Sequence, residues 1–496
     1  MTTFDADPAD ADPRDYLAEP ARERATCSPW VAGLPHCVGG TTSGARDLSW
    51  LTRRLRRTPY LEGLPREVGV LSAISFCVAL GFGIVAPAIP LFAKSFGVSV
   101  LAASAVISVF AFVRLISATP AGFLVNRVGE RRVLVVGLAI VAVSSALAGL
   151  ANDYTMLILL RGVGGLGSAM FTVSAMALLL RVVEPHQRGR AAGAFQGGFL
   201  LGGIAGPAVG GIVIGISLRL PFFVYAVTLG TASLVAATML SHTHLRDRDP
   251  EGSVAAASAD DKVLTLRHAL GNRAYVTALA INLSNGFASF GLRSALIPLF
   301  VVESLRLGPQ WSGYGLLASA TMQGALLLPA GRMADTRGRK PALILGTGAS
   351  VIGFTVLAIT TSVPIFLLAM SILGFGAAFL GSAPAAVVGD VTGGRRGGPI
   401  VSTYQMMSDF GAVLAPLIAG RIVDTTGSFE TGFLVGTGVL AVGFLLALSM
   451  PETLKRHAGS SPTMADELSK SSLGESWSED EAESLKLPPP QGAADE

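Results

Sequence analysis

The sequence predicts an all-α integral membrane protein with twelve transmembrane helices, arranged as two parallel six-helix repeats with both termini in the cytoplasm. Three observations support this fold class. The composition is too apolar for a soluble protein of this length. The apolar residues fall into twelve long stretches, and the second half of the chain repeats motifs of the first half at a constant offset.

The composition excludes several classes of protein. Of the 496 residues, 51% are hydrophobic and 14% are charged, about half the charged share of an average soluble protein. The net charge of +3 is too small for a nucleic-acid-binding protein, which needs a concentrated basic surface. The three cysteines show no paired spacing, so neither a disulfide framework nor a metal site is predicted, and no cofactor is expected.

A membrane-spanning helix needs about 20 mainly apolar residues to cross about 30 Å of hydrocarbon. Twelve stretches, numbered here as segments 1 to 12, meet that requirement: 67–93, 100–121, 133–151, 154–180, 191–217, 220–240, 274–302, 310–331, 341–360, 363–389, 399–423 and 428–450.

The polar stretches between and around these segments predict the domain boundaries. The expected parts are an N-terminal extension at 1–66, a six-helix half at 67–240, a linker at 241–273, a second half at 274–450 and an acidic tail at 451–496. We expect both tails to be disordered, because their composition cannot bury enough apolar surface. Residues 48–57 could instead form a basic amphipathic helix on anionic lipid.

The distribution of Arg and Lys predicts the orientation. These residues accumulate before segment 1, in every second loop after it and directly after segment 12, whereas the opposite loops hold little more than Lys94, Arg219 and Arg306. Cytoplasmic loops carry the excess of positive residues in membrane proteins. Both termini and the linker are therefore predicted to be cytoplasmic.

An internal repeat relates the two halves. GFLVNRVGERRVL at 122–134 corresponds to GRMADTRGRKPAL at 331–343, an offset of 209 residues, and Gln196 and Pro207 correspond to Gln405 and Pro416 at the same offset. Because each half contains an even number of segments, the two halves have the same orientation. They are therefore parallel repeats about an axis along the membrane normal.

These repeated motifs resemble the major facilitator superfamily and, within it, the twelve-helix drug:proton antiporters. The resemblance covers about residues 67–450, and it implies that the two repeated loops latch the halves during gating. The matching residues are Gly122, Arg127, Gly129, Arg131 and Arg132 in the first copy and Gly331, Asp335, Gly338, Arg339 and Lys340 in the second. Asn126 stands where the family has an acid, which removes a charged partner from the first copy.

Segment 5 carries GGIAGPAVGG, which resembles the antiporter signature of the family and favours export over import. Its residues are Gly202, Gly206, Pro207, Gly210 and Gly211. Small residues four apart let a neighbouring helix approach closely, and proline removes one hydrogen bond of the helix. Close packing of any two membrane helices would also account for the glycines alone.

Charged residues inside a membrane are costly and usually serve a function. Away from the segment ends there are four: Arg114, Arg161, Arg293 and Asp409. Asp409 is the acid closest to mid-membrane, so we expect it to couple transport to protons, and the resemblance implies a proton-transfer role for Arg161. Arg114 either braces the repeated loop or lines the pathway.

Polar residues gather around these charges at helical spacing. Asn282, Asn285, Ser289 and Arg293 would share one face of segment 7, and Gln405 would share a face with Asp409. Lipid cannot satisfy such groups, so they are expected to line a cavity between the halves or to form hydrogen bonds that only hold the helices together. The cavity candidates are Asn282, Asn285, Ser289, Arg293, Gln196 and Gln405, with Phe110 and Phe290 as apolar walls.

The sequence therefore predicts a multi-pass cell-membrane exporter of an amphiphilic small molecule or drug, coupled to proton influx by alternating access. Its expected partners are the substrate, protons and the lipid bilayer. Two alternatives are an exporter of a sugar or specific metabolite and a non-transporting receptor or scaffold on the same fold. No cluster of catalytic residues predicts an enzyme. The GxGxxG of Gly162, Gly164 and Gly167 lies inside an apolar segment, so nucleotide binding is not predicted either.

Overall fold

The computed structural model describes residues 64–184, 187–240, 266–392 and 398–454. All of them belong to one compact unit of the chain, Arg54–Glu496. Most of the N-terminal extension, most of the linker and most of the acidic tail lie outside the described residues. The predictions made for those parts, including the amphipathic segment at 48–57, therefore stay predictions.

Regular secondary structure in the described residues is entirely helical. In chain order the helices are α1 Arg66–Val85, α2 Ala88–Lys94, α3 Val100–Val128, α4 Glu130–Gly149, α5 Tyr154–Val182, α6 Arg188–Ile216, α7 Leu220–Met239, α8 Leu266–Leu270, α9 Arg273–Asn285, a π-helix Gly286–Leu292, α10 Arg293–Glu303, α11 Gln310–Thr336, α12 Arg339–Ala358, α13 Val363–Leu380, α14 Ala383–Thr392, α15 Gly398–Thr426 and α16 Phe429–Ser449.

Eleven of the predicted segments, within the described ranges, form helices long enough and apolar enough to cross a membrane. Segment 8 is the exception. It forms the 27-residue helix α11, which has the required length but is not among these eleven. Its sequence includes Gln310, Ser312 and Gln323, which lower its hydropathy. The fold is therefore that of a multi-span helical membrane protein, and the count of twelve spans stays a prediction.

Three segments are interrupted. Segment 1 breaks at Ala86 and Pro87, where the proline has no N–H to continue the helix, and segment 10 breaks at Gly381 and Ser382. In segment 7 the π-helix Gly286–Leu292 separates α9 from α10. π-helical turns within α-helices occur frequently at functional sites.

The two halves share one pattern of helix neighbours. In the first half α4 packs against α5 and α7, and α3 packs against α5. In the second half the corresponding helices repeat these contacts, because α12 packs against α13 and α16, and α11 packs against α13. The same neighbours at equivalent positions are what two repeats of one topology would produce.

Two contacts join the halves along their length. Helix α3 packs against α15, and α6 packs against α11, so segments 2 and 5 meet segments 11 and 8. Helix α10 also contacts α2 and α3 across the same boundary. The large side chains Phe222, Phe354 and Phe433 are fully buried within the halves. Apolar residues such as Ile212, 64% exposed, lie on the outside of the bundle, where lipid is as apolar as they are.

Candidate functional site

The two copies of the repeated loop have the same backbone geometry. Gly129 begins α4 with φ 94°, and Gly338 begins α12 with φ 129°. Both values are positive, a region that residues with a side chain rarely adopt, which explains glycine at both positions. Gly122 and Gly331, by contrast, have open space around them. Arg127 and Arg132 of the first copy are exposed.

An ion pair follows each of these glycines. In the first copy, Arg181 at the end of α5 contacts Glu130 at 3.0 Å. In the second copy, Asp390 at the end of α14 contacts Arg339 at 3.1 Å. Positions 339 and 390 lie 209 residues after 130 and 181, the offset of the internal repeat. The same pair of positions is therefore bridged in both halves, with the charges exchanged.

Further polar contacts differ between the copies. Arg339 also forms an ion pair with Asp335, four residues earlier in the chain. Arg131 in the first copy instead donates a hydrogen bond to the carbonyl of Ala237, near the end of α7. A basic residue at the C-terminal end of a helix interacts favourably with its last carbonyls.

Glu452, just after α16, caps the N-terminus of α12. Its carboxylate accepts hydrogen bonds from the backbone N–H groups of Arg339 at 2.8 Å and Lys340 at 3.0 Å, and from that of Leu454 at 3.0 Å. Partial burial raises the pKa of Glu452, but these backbone hydrogen bonds outweigh it and hold the pKa below its usual value. The glutamate therefore stays ionised and satisfies N–H groups that a helix leaves without intrahelical partners.

The glycines of the antiporter signature bring α6 into backbone contact with α1. A Cβ atom on Gly206 would lie 2.7 Å from Gly83 Cα, and one on Gly210 would lie 2.9 Å from Ile84 Cα. Gly202 faces the carbonyl of Phe76 in the same way. Gly211 points elsewhere, toward Gln310 and Gly313 of α11 in the other half. Pro207 is accommodated inside the continuous helix α6.

An ion pair between Arg114 of α3 and Asp409 of α15 joins the two halves. Both side chains are partly buried, with 30% and 26% of their area exposed. On the same two helices, Ser108 donates a hydrogen bond to the carbonyl of Val413 across the same boundary at 2.8 Å. Arg114 thus contacts the acid predicted to couple protons.

The halves are also fastened at one end of the bundle, called here the Lys94 end. Lys94 contacts Glu303 at 3.4 Å. Asp424 accepts hydrogen bonds from the backbone N–H groups of Val100 and Leu101, each at 2.9 Å. An acid from one half therefore caps the N-terminus of α3 in the other half, where the helix dipole favours negative charge.

The polar residues of segment 7 do not form one continuous face. The π-helix lies between Asn285 and Arg293, so the regular α-helical spacing assumed for that stripe is wrong. Asn282 is buried and donates to the carbonyl of Tyr404 at 2.6 Å, which holds α9 against α15. Ser289 donates to the side-chain oxygen of Asn285 at 3.0 Å. Arg293 donates to Ser319 of α11 at 2.9 Å.

Arg161 is almost completely buried, with 2% of its area exposed. Its guanidinium lies 4.5 Å from the ring centroid of Phe110 on α3, so Phe110 supports the arginine rather than forming an open apolar wall. Phe290 is 47% exposed, and Gln196 and Gln405 are exposed as well.

Several residues of this arrangement were not singled out from the sequence. Glu303, Asp390 and Asp424 lie at segment ends and are exposed, and all three make ion pairs or capping contacts. The repeat itself contained a signal, because the 209-residue offset relates Glu130 to Arg339 and Arg181 to Asp390. No comparable signal relates Asp424 to the start of α3.

Comparisons with known proteins agree with this architecture. A family model described as Major Facilitator Superfamily matches residues 71–325 and 283–480. The quinolone resistance protein NorA of Staphylococcus aureus is 22% identical over 391 residues, which are 77% of this chain and 96% of NorA. Multidrug resistance protein 2 of Bacillus subtilis is 29% identical over 154 residues, 31% of this chain and 38% of that protein.

Solved structures share the fold at low sequence identity. A bacterial homologue of the human lysosomal transporter Spinster, in an inward-facing and unoccupied conformation, has a TM-score of 0.64 at 14% identity, covering 79% of this chain and 98% of that one. The nucleoside transporter NupG has a TM-score of 0.60 at 15% identity, covering 77% and 98%. Because the family model matches well over half of its length, this multi-pass cell-membrane transporter belongs to the Major Facilitator Superfamily.

Proposed function

We propose that this transporter is a secondary active exporter of an amphiphilic small molecule, driven by proton influx, and that it works by alternating access. The observation that carries the proposal is the ion pair between Arg114 and Asp409. It joins the two halves partway along α3 and α15, and one of its members is an acid that a proton can neutralise.

Protonation of Asp409 would weaken the contact between the halves at this level. Protonation removes the negative charge of the carboxylate and with it the Coulomb attraction to the guanidinium, so a neutral acid holds Arg114 less firmly. The balance between the two arrangements of the halves then depends on whether Asp409 carries a proton. A contact of this kind can link proton movement to the rocking of one half against the other.

The direction of access follows from the predicted topology. With twelve spans and both termini in the cytoplasm, the Lys94 end faces outward. The contacts of Lys94 with Glu303 and of Asp424 with the start of α3 close that end. We assign this state as open to the cytoplasm, where a molecule to be exported would enter.

Two observations support export of an amphiphilic molecule. The glycine and proline pattern of α6, seated on α1, is the pattern that resembles the antiporter signature. Two relatives are named for quinolone resistance and multidrug resistance, which favours a drug-like substrate. Phe290 and the polar Gln405 supply exposed apolar and polar groups of the kind such a substrate needs.

Energised everted membrane vesicles test the proposal with a panel of dyes, antibiotics and sugars, with an uncoupler added midway. We expect accumulation of an amphiphilic compound that collapses with the uncoupler. Asp409→Asn keeps the size of the side chain but cannot titrate. It should reduce gradient-driven uptake by at least about tenfold, because the proton no longer changes the contact, while substrate counterflow persists.

Glu430→Gln is the matched control, since Glu430 is an exposed acid in the first turn of α16 and should behave as the unmodified protein does. The double variant Arg114→Gln with Asp409→Asn removes both charges and separates lost coupling from an unpaired arginine. Uptake by Asp409→Asn with an unchanged pH dependence would refute the proposed role of this acid.

A further inference from the structure

The charges inside the membrane-spanning helices are unbalanced. Away from the helix ends, the described spans contain three arginines, Arg114, Arg161 and Arg293, and one acid, Asp409. Asp409 already pairs with Arg114. In the described part of the chain, neither Arg161 nor Arg293 has a carboxylate within 4.0 Å. Arg161 is buried and Arg293 is partly buried, and a charge withdrawn from water without a partner is unfavourable, so these two cations need an explanation.

Arg161 lacks the hydrogen bonds that a buried arginine normally makes. It is 2% exposed, and its Nε atom has no acceptor among the described residues. Its guanidinium rests on the ring of Phe110, which leaves the planar donor fork without an anion. A carboxylate, sulfonate or phosphate is the group that this fork fits best, because it can accept two parallel hydrogen bonds.

Arg293 lies in the other half, on a helix that contacts the first half. It begins α10, the helix that contacts α2 and α3 of the first half. Its contact is with the hydroxyl of Ser319 at 2.9 Å, a neutral acceptor that leaves the positive charge uncompensated. Arg161 is on α5, which packs against α3, the helix that carries Phe110. Both arginines therefore lie on helices that contact α3.

The two arginines lie toward the same end of the bundle. Tyr154, at the start of α5, donates to the carbonyl of Ala102 near the start of α3, which places it at the Lys94 end. Arg161 follows Tyr154 by seven residues and Arg293 precedes Glu303 by ten, which correspond to about 10 and 15 Å along the helices. Asp409 precedes Thr426 by 17 residues, about 25 Å from that end.

We infer that the transported molecule carries an anionic group, a carboxylate, sulfonate or phosphate, which binds between Arg161 of one half and Arg293 of the other. This inference rests on the proposed function and specifies its substrate class. The anion neutralises the charges that the protein leaves unpaired, and the rest of the amphiphile occupies the apolar surroundings. Arg161 lies about one turn of α5 nearer the Lys94 end than Gly165, which packs against the backbone of Arg114, so the anion site adjoins the Arg114–Asp409 pair.

A pair of fluorescent probes tests the substrate class. 1-Anilinonaphthalene-8-sulfonate and N-phenyl-1-naphthylamine share one ring system, and only the first is an anion. Uptake of both is measured in proteoliposomes of phosphatidylcholine containing the full chain and a pH gradient. We expect the unmodified protein to favour the sulfonate by about tenfold, the value of one charge-assisted bidentate contact.

Substitution of the arginines should change this preference and not only the rate. Arg293→Gln and Arg161→Gln should each lower the uptake ratio of anionic to neutral probe by about tenfold, and Arg293→Lys should fall between, because it keeps the charge and loses the fork. Arg273→Gln, at the exposed start of α9, is the matched control and should keep the ratio of the unmodified protein.

The outcomes separate the two proposals. If neither probe moves with the gradient and no compound of the wider panel does, the proposed function fails. If the neutral probe is taken up as well as the anion, or if the ratio is unchanged in Arg293→Gln, transport stands and the anionic class is wrong. Should an arginine variant fail to fold, competition of benzoate against benzamide on the unmodified protein decides, and equal competition refutes the inference.

Discussion

The loop between α3 and α4 and the loop between α11 and α12 solve the same packing problem with opposite charges. Glu130 faces Arg181 in the first loop, and Arg339 faces Asp390 in the second, at equivalent positions of the repeat. The sign of each residue is exchanged while the pairing is kept. The two halves therefore share an ion pair between two equivalent positions. The family signature of basic residues describes only one of the two ways of forming this pair.

The exchange also explains Asn126. Its counterpart Asp335 pairs with Arg339, four residues later. Because Asp335 and Arg339 are in contact at the equivalent positions, an acid at 126 would lie beside Glu130, where it would repel a like charge. A neutral residue in the first copy is therefore consistent with the reversed pair. The second copy depends more on charge, since Arg339 contacts two carboxylates and Glu452 caps the helix that it begins.

The largest effect is expected from Arg339→Glu. The new carboxylate would lie beside Asp335 and Asp390, so two like-charge contacts would replace two ion pairs, and we expect transport in vesicles to fall by at least about tenfold. Adding Asp390→Arg recreates the order of charges found in the first half and should recover much of the activity. If the double variant is no better than the single one, the two positions do not act as a pair.

Reversing the charge of Glu130, the equivalent residue of the first half, should reduce transport less. Glu130→Arg brings one like charge, Arg181, into contact instead of two, so transport should fall by only about threefold, and adding Arg181→Glu should restore it. The same vesicle assay measures both reversals. A larger loss in the first half than in the second would contradict the greater dependence of the second copy on charge.

A smaller effect, confined to acid pH, is expected from Glu452. Its folded pKa is lowered, so its contribution to stability is fully present above the unfolded value of about 4.3 and is lost as pH falls through the folded pKa. Glu452→Gln should therefore lower the unfolding midpoint of the protein in nanodiscs at pH 7, and the difference should shrink as pH falls below about 4.3. A difference that is constant with pH would show that the charge of Glu452 does not stabilise α12.

The smallest effect should come from Asn126→Asp. Restoring the family acid should destabilise the protein by no more than about 0.5 kcal/mol, because the new charge faces Glu130 and both positions are at least partly exposed. Asn126→Asp combined with Glu130→Gln should not be destabilised in this way, because the like charge at position 130 is gone. An increase in the unfolding midpoint for Asn126→Asp alone would contradict the charge-exchange explanation.

The sequence was sufficient for the fold class and for most helices, because hydrocarbon imposes length and apolarity on each span. Segment 4 was predicted at 154–180 and forms Tyr154–Val182. Segment 8 shows the limit of that reasoning, since α11 is long but less apolar. Hydropathy also does not predict the breaks at Pro87 or at the π-helix, where local backbone geometry departs from a regular helix.

The candidate site was only partly predictable. Unusual charges in apolar segments identified Arg114 and Asp409, but their pairing joins residues 295 positions apart and depends on how the halves meet. The spacing of the polar stripe in segment 7 is altered by the π-helix, because helical periodicity assumes an uninterrupted α-helix. Residues at helix ends, such as Asp424, gain their partners only from tertiary packing, which a charge pattern along the chain does not record.

The π-helix of segment 7 has a consequence for the angular position of Arg293. A π-helix accommodates extra residues relative to an α-helix of the same length, and one residue corresponds to a turn of about 100° around the axis. If Gly286–Leu292 changed to α-helical hydrogen bonding by one residue, everything after it would rotate by that angle about the axis of segment 7. Arg293, the first residue after the π-helix, would then swing away from Ser319 while α9 remained packed on α15.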